Sequence, residues 1–122
     1  MAARAPDPGD FLPLKSDVLL ILMALAEGPQ HGYGLIRDVE MRSEGQTVLQ
    51  TGALYRTLRR LLEDGTIDEC PRPAGEASDD ERRRYYTVTP FGRAVLEAEI
   101  ARMSRLVRAA KTAGNGRRPR TI

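Results

Sequence analysis

The stretch Thr51–Asp64, TGALYRTLRRLLED, decides the fold. Its leucines, Leu54, Leu58, Leu61 and Leu62, fall at i, i+4, i+7 and i+8, which is one apolar stripe at the α-helical period. Thr51 suits the N-cap, and Gly65 suits the position just past the C-terminus. The opposite face carries Arg56, Arg59, Arg60 and Glu63, with small Gly52 and Ala53 at its start. Such a helix locks onto a domain through its leucines and leaves a narrow cationic face in water. That shape fits the major groove of B-DNA, and the free N–H groups at its start can meet a phosphate.

Upstream, Lys15–Ala26 reads as a helix capped by Ser16 and stopped by Glu27-Gly28-Pro29. Its apolar run Val18–Ala26 is about nine residues, against the roughly 20 that span a bilayer, so no membrane is expected as a partner. It reads instead as a helix buried on most sides, part of it against a second subunit. His31-Gly32-Tyr33-Gly34 opens a second helix through Leu35, Ile36, Val39 and Met41 to about Arg42. His31 is expected at the helix start. Ser43–Gln50 is a polar connector.

Downstream, Thr66–Arg72 and Arg82–Thr89 read as strands joined by the polar segment PAGEASDDE, a β-hairpin with a long mobile tip. Tyr85 and Tyr86 alternate along the second strand, so one is expected in the core and one outside. Thr89 caps a last helix with Pro90 in its first position. That helix is expected to reach about Thr112 and to end at Gly114-Asn115-Gly116. Leu96, Ile100, Met103, Val107 and Ala110 follow a 4-3-4-3 spacing, the seam of a helix packing on another helix. A three-helix unit offers little surface to so long a helix, so the seam is assigned to a homodimer.

The order helix, helix, helix, strand, strand, long helix predicts a mainly α (α+β) fold. It is a winged helix-turn-helix with a C-terminal dimerisation helix. The expected division is a disordered lead over 1–13, a DNA-binding domain over 14–89, the dimerisation helix over 90–113 and a disordered basic tail over 114–122. With 41% hydrophobic residues in 122, the chain can bury a core without disulfides or a metal. Its net charge of +2 says little about partners; the clustering of basic residues says more. With a lone Cys70 and a start without an apolar leader, a reducing cytoplasm is the expected compartment. His31 is the single histidine, so no metal site is expected, and no cofactor. There is no phosphate loop after a strand and no nucleophile–base pair, which argues against an enzyme. The competing reading is a winged-helix module that binds protein or RNA; the cationic helix face speaks against a purely protein-binding role.

Three segments carry a family resemblance. TGALYRTLRRLLEDGTI (Thr51–Ile67) resembles the recognition-helix signature of the PadR family of transcriptional regulators. HGYGLIRDV (His31–Val39) resembles that family's second helix, and RRRYYTVTPFGRAVL (Arg82–Leu96) its second wing strand, Thr-Pro turn and terminal helix. With the opening LKSDVLLILMALAEGPQHGY, the likeness runs from about Leu14 to Ala110. It is to the shorter subfamily, with one C-terminal dimerisation helix. The resemblance implies a dimeric repressor of a palindromic operator, with the third helix in the major groove and a small-molecule effector as a further partner. By position it implies DNA contacts from Tyr55, Arg56 and Arg59, to which the cationic face adds Arg60, and a phosphate-facing start at Thr51 and Gly52. It also implies a supporting role for Tyr33 and charge at the wing base from Arg82, Arg83 and Arg84. The chain departs from its class in an acidic wing, with Glu76, Asp79, Asp80 and Glu81, and in having no Trp.

Overall fold

The computed structural model describes residues 6–75 and 83–115. A short 3-10 turn, Pro8–Phe11, leads into helix α1 (Ser16–Ala26), strand β1 (Gln30–His31) and helices α2 (Gly32–Arg42) and α3 (Thr51–Glu63). Strands β2 (Ile67–Cys70) and β3 (Tyr85–Val88) and the long helix α4 (Pro90–Asn115) follow. The three strands form one antiparallel sheet in the order β1-β3-β2.

The apolar run of α1 becomes the centre of the molecule. Ile21, Leu22, Ala24 and Leu25 are all buried there. Onto them pack Leu35 and Val39 of α2, the leucine face of α3, Ile67, Tyr86 and Val88 of the sheet, and Val95 and Leu96 of α4. Each large aliphatic side chain so covered contributes about 1.5–3 kcal/mol relative to exposure. An ion-pair cluster closes one side. Arg42, at the end of α2, meets Asp38 one turn back and Glu27 just past α1. Those two hydrogen bonds, Glu27 first, push its guanidinium pKa up.

Several boundaries differ from the sequence reading. The N-caps are Lys15 and Gln50, whose backbones are still extended, so Ser16 and Thr51 are first helical residues and not caps. The hairpin strands are shorter than expected because pairing spans only Ile67↔Val88 to Cys70↔Tyr85, and Pro71 has no N–H to continue it. Arg83 and Arg84 therefore precede β3. The two-residue β1 carries no periodicity that a sequence could show. It makes β3 the central strand, and this corrects the expectation for the tyrosines: Tyr85 and Tyr86 are both covered, at 2% and 3% exposure. Tyr86 joins the core. Tyr85 sits on the other face between its cross-strand partners His31 and Cys70, its ring edge-on to His31 at 5.3 Å. The same enclosure raises the pKa of the Cys70 thiol by burial.

Both ends of the described chain also differ. Residues 8–13, expected within a disordered lead, form a strap. Phe11 meets Phe91 edge-on at 5.4 Å, and Leu12 and Leu14 pack against the core. The Leu14 N–H donates to Glu99 Oε2 at 2.7 Å, and Arg102 donates to both carboxylate oxygens. Glu99 is 1% exposed. Its pKa is nonetheless lowered, because the Arg102 hydrogen bonds outweigh burial and the Leu14 N–H adds to them. At the other end α4 runs through Gly114 to Asn115. A glycine in a helix costs about 1 kcal/mol and does not by itself end one.

The joint between sheet and α4 explains Thr89-Pro90-Phe91-Gly92. The Thr89 hydroxyl donates to the Gly65 carbonyl at 2.6 Å and accepts the Gly92 N–H at 2.9 Å, the expected N-cap. Gly65 itself turns the chain out of α3 with φ of +77°. A Cβ on Gly92 would lie 2.0 Å from the Thr66 carbonyl oxygen, so only glycine lets α4 approach this closely.

Candidate nucleic-acid interface

Helix α3 presents three edges. Leu54, Leu58 and Leu61 are 0%, 1% and 4% exposed and hold it to the core. On the helical wheel Arg56 lies opposite them, with Tyr55 and Arg59 toward one side and Arg60 toward the other. Thr51 and Gly52 are exposed at the N-terminal end, as are Arg56, Arg59 and Arg60 along the helix. Among the described residues none of these three arginines enters an ion pair. The result is a cationic ridge whose charges are not paired among the described residues.

Tyr55 does two things. It is 45% exposed, yet its hydroxyl reaches the start of α2. A Cβ on Gly32 would stand 2.6 Å from that hydroxyl oxygen, so Gly32 admits the ring and sets how closely α3 lies to α2. Next to Gly32, Tyr33 is 65% exposed, with the Arg83 guanidinium 5.8 Å from its ring centre, within cation–π range. His31 takes the helix-start role expected of it. Its Nδ1 accepts the Gly34 N–H at 3.1 Å, and its Nε2 lies 3.3 Å from Arg83. Tyr55, Tyr33 and Arg83 thus form one continuous edge from α3 across the start of α2 to the residues before β3. Arg84 instead pairs with Glu69 of β2 at 3.3 Å, an exposed contact of small energetic weight. Arg82 and the acidic tip Glu76, Asp79, Asp80 and Glu81 lie outside the described residues.

The predicted seam of α4 divides. Leu96 is buried in its own chain at 7% exposure, while Ile100, Met103 and Val107 stand at 48%, 39% and 50%, and Ala110 is exposed. Leu106, outside the 4-3-4-3 pattern, is exposed at 55%. Ile100, Met103 and Val107 line an open apolar groove with Leu19 and Met23 of α1. Sequence spacing found the α4 side of this groove. The contribution of Leu19 and Met23 was hidden inside an apolar run with no evident outer face.

The model of the PadR-like family of transcriptional regulators matches residues 21–98, which include α2, α3, the sheet and the first part of α4. This chain belongs to the PadR-like family. The PadR-like chain is 39% identical over 88 residues to an uncharacterized 37.1 kDa protein in a transposon of Streptomyces fradiae, a match that takes in 72% of this chain but only 23% of that protein. It thus spans less than a quarter of that relative's length. Among solved structures it resembles a PadR family transcription regulator from Clostridium difficile, with a TM-score of 0.65 at 21% identity over 80% of this chain and 97% of that one. It also resembles a PadR-like transcriptional regulator from Bacillus cereus, with a TM-score of 0.66 at 18% identity over 82% of this chain and 92% of that one. At such identities the likeness establishes the fold, a winged helix-turn-helix made of α1, α2, α3 and the β2–β3 hairpin. Among the described residues no helix is long and apolar enough to cross a membrane.

Proposed function

We propose that this PadR-like regulator reads double-stranded DNA with α3, binds a palindromic operator as a homodimer and represses transcription from the cytoplasm. One observation carries the reading. The Arg56, Arg59 and Arg60 ridge is exposed, makes no ion pair among the described residues and stands on a helix fixed rigidly by its leucines. A rigid cationic helix makes phosphate and base-edge contacts in a major groove without first losing internal partners.

In this reading Arg56 points into the groove, Thr51 and Gly52 face a phosphate, and Tyr33 and Arg83 meet the neighbouring backbone. Arg82 and Arg84 add charge at the wing base. The α1–α4 groove, with Met103 at its centre, takes the same groove of a second copy. Two-fold symmetry then places two α3 helices on successive major-groove faces, which is why the operator is palindromic. Occupying that site represses by exclusion, and no step requires catalysis or a cofactor. The domain division follows: residues 14–89 read DNA and the helix from Pro90 onward joins the subunits.

The test is recovery of genomic DNA fragments by the purified protein, followed by binding measured against salt. The expected result is a palindromic consensus with half-sites about one helical turn apart and an affinity that falls steeply with salt. Equal binding to single-stranded RNA, or recovery without any consensus, would refute it.

A further inference from the structure

Behind α3, on the side away from Tyr55, the N-terminal strap closes over a cavity of about 210 Å³. Apolar side chains, Phe11, Val18, Leu61 and Val95 among them, make up about half of its lining. Its rim carries two cations, Lys15 and Arg60, and two carboxylates, Asp17 and Asp64. All four line this one cavity, yet among the described residues they form no ion pair with each other or with anything else.

We propose that this cavity is a ligand site for a small zwitterion with an apolar side chain, the chemistry of an apolar α-amino acid. A dry cavity of about 150 Å³ holds benzene, so this one accommodates a leucine- or phenylalanine-sized side chain. The ligand carboxylate meets Lys15 and the planar fork of Arg60, and the ligand ammonium meets Asp17 and Asp64. Such a ligand satisfies all four rim charges with no change in net charge. A simple acid or amine would satisfy only one pair.

The site touches the reading helix directly. Thr57, Arg60 and Leu61 belong to α3 and Asp64 follows at its end, and Arg60 stands between the cavity rim and the cationic ridge. A bound carboxylate draws the Arg60 guanidinium toward the cavity and off the ridge. Ligand therefore lowers DNA affinity, a consequence that rests on α3 being the reading helix.

The test begins on the protein alone. Thermal melts of the full chain are recorded with leucine, phenylalanine and methionine, with their deaminated acids and with their decarboxylated amines. The proposal expects a saturable rise in Tm with at least one amino acid and none with its acid or amine. Asp17→Asn should weaken that binding by about tenfold, the loss of one charge-assisted contact. Val18→Phe, which fills the cavity, should abolish the rise while the circular dichroism spectrum stays native. No saturable rise with any amino acid, an equal rise with the deaminated acid, or a rise that survives Val18→Phe each overturns the site. Operator binding is then measured with and without saturating ligand. An unchanged affinity overturns the coupling. If the protein binds no DNA at all, the melts still decide whether the cavity takes the ligand.

Discussion

Helices α3 and α4 begin from the same kind of pattern and end differently. Both alternate apolar and charged residues at a helical period. In α3 the leucines at the core positions, Leu54, Leu58 and Leu61, are buried within the chain, and what remains outside is mostly charge. In α4 the first turns behave the same way, with Val95 and Glu99 at 0% and 1% exposure. Beyond them the domain runs out, and Ile100, Met103, Leu106 and Val107 keep their apolar surface in solvent. One helix offers an unspent charged ridge and the other an unspent apolar groove. The first suits a polyanion, and the second suits a surface like itself.

That contrast can be challenged at four places, beginning with the strongest. Gly92→Ala should destabilise the fold by about 3–5 kcal/mol in urea unfolding, because the new Cβ collides with backbone at Thr66 and pries α4 from the sheet. A near-neutral result would mean that α4 is not held where its buried half requires. Met103→Glu, in the exposed half, should leave the monomer folded but weaken self-association by about 2–4 kcal/mol, read by sedimentation. A variant that still sediments as the wild type does would remove the groove from the interface. Arg56→Ala should cost operator binding about 1–3 kcal/mol with no change in Tm, measured by titration of a labelled duplex. If Tm falls instead, the ridge is structural.

The last is Glu99→Gln, expected to cost about 1.5–3 kcal/mol, since the charge-assisted bonds from Arg102 are lost and the amide's NH2 end cannot accept from Arg102 or Leu14. Here the pH dependence carries the information. The folded pKa of Glu99 lies below its ordinary value of 4.5, so its stabilisation is present above that value and is lost as pH falls through the folded pKa. The wild type should therefore lose its margin over the glutamine variant on acidification below about pH 4.5. Parallel stability curves for the two proteins would show that the Arg102 and Leu14 contacts do not hold the charged form.

Legibility in the sequence followed the length of each signal. Four leucines in step made α3 readable, and Thr89-Pro90 made the start of α4 readable. The two residues of β1 were too few for any period, so the central place of β3 and the burial of both tyrosines went unseen. The ridge was legible because helix geometry alone puts Arg56 opposite Leu54 and Leu58. The contact of Tyr55 with Gly32 was not, because it joins two helices and a glycine leaves no pattern. Glu99 carries no signal of its own in the sequence. Only the strap crossing α4 brings a backbone N–H to it and makes it an interior ion pair.

Spacing along one chain was enough to set the main elements of this protein and the sign of charge on each helix face, because period and chemistry are visible together there, and its quoted segments carried the family resemblance. Packing settled the rest: which half of α4 is core and which is surface, which tyrosines are covered, and that Arg60 borders a cavity as well as a ridge. Those outcomes depend on where separate segments meet. Residues far apart in sequence become neighbours only when burial of the shared core brings their elements together.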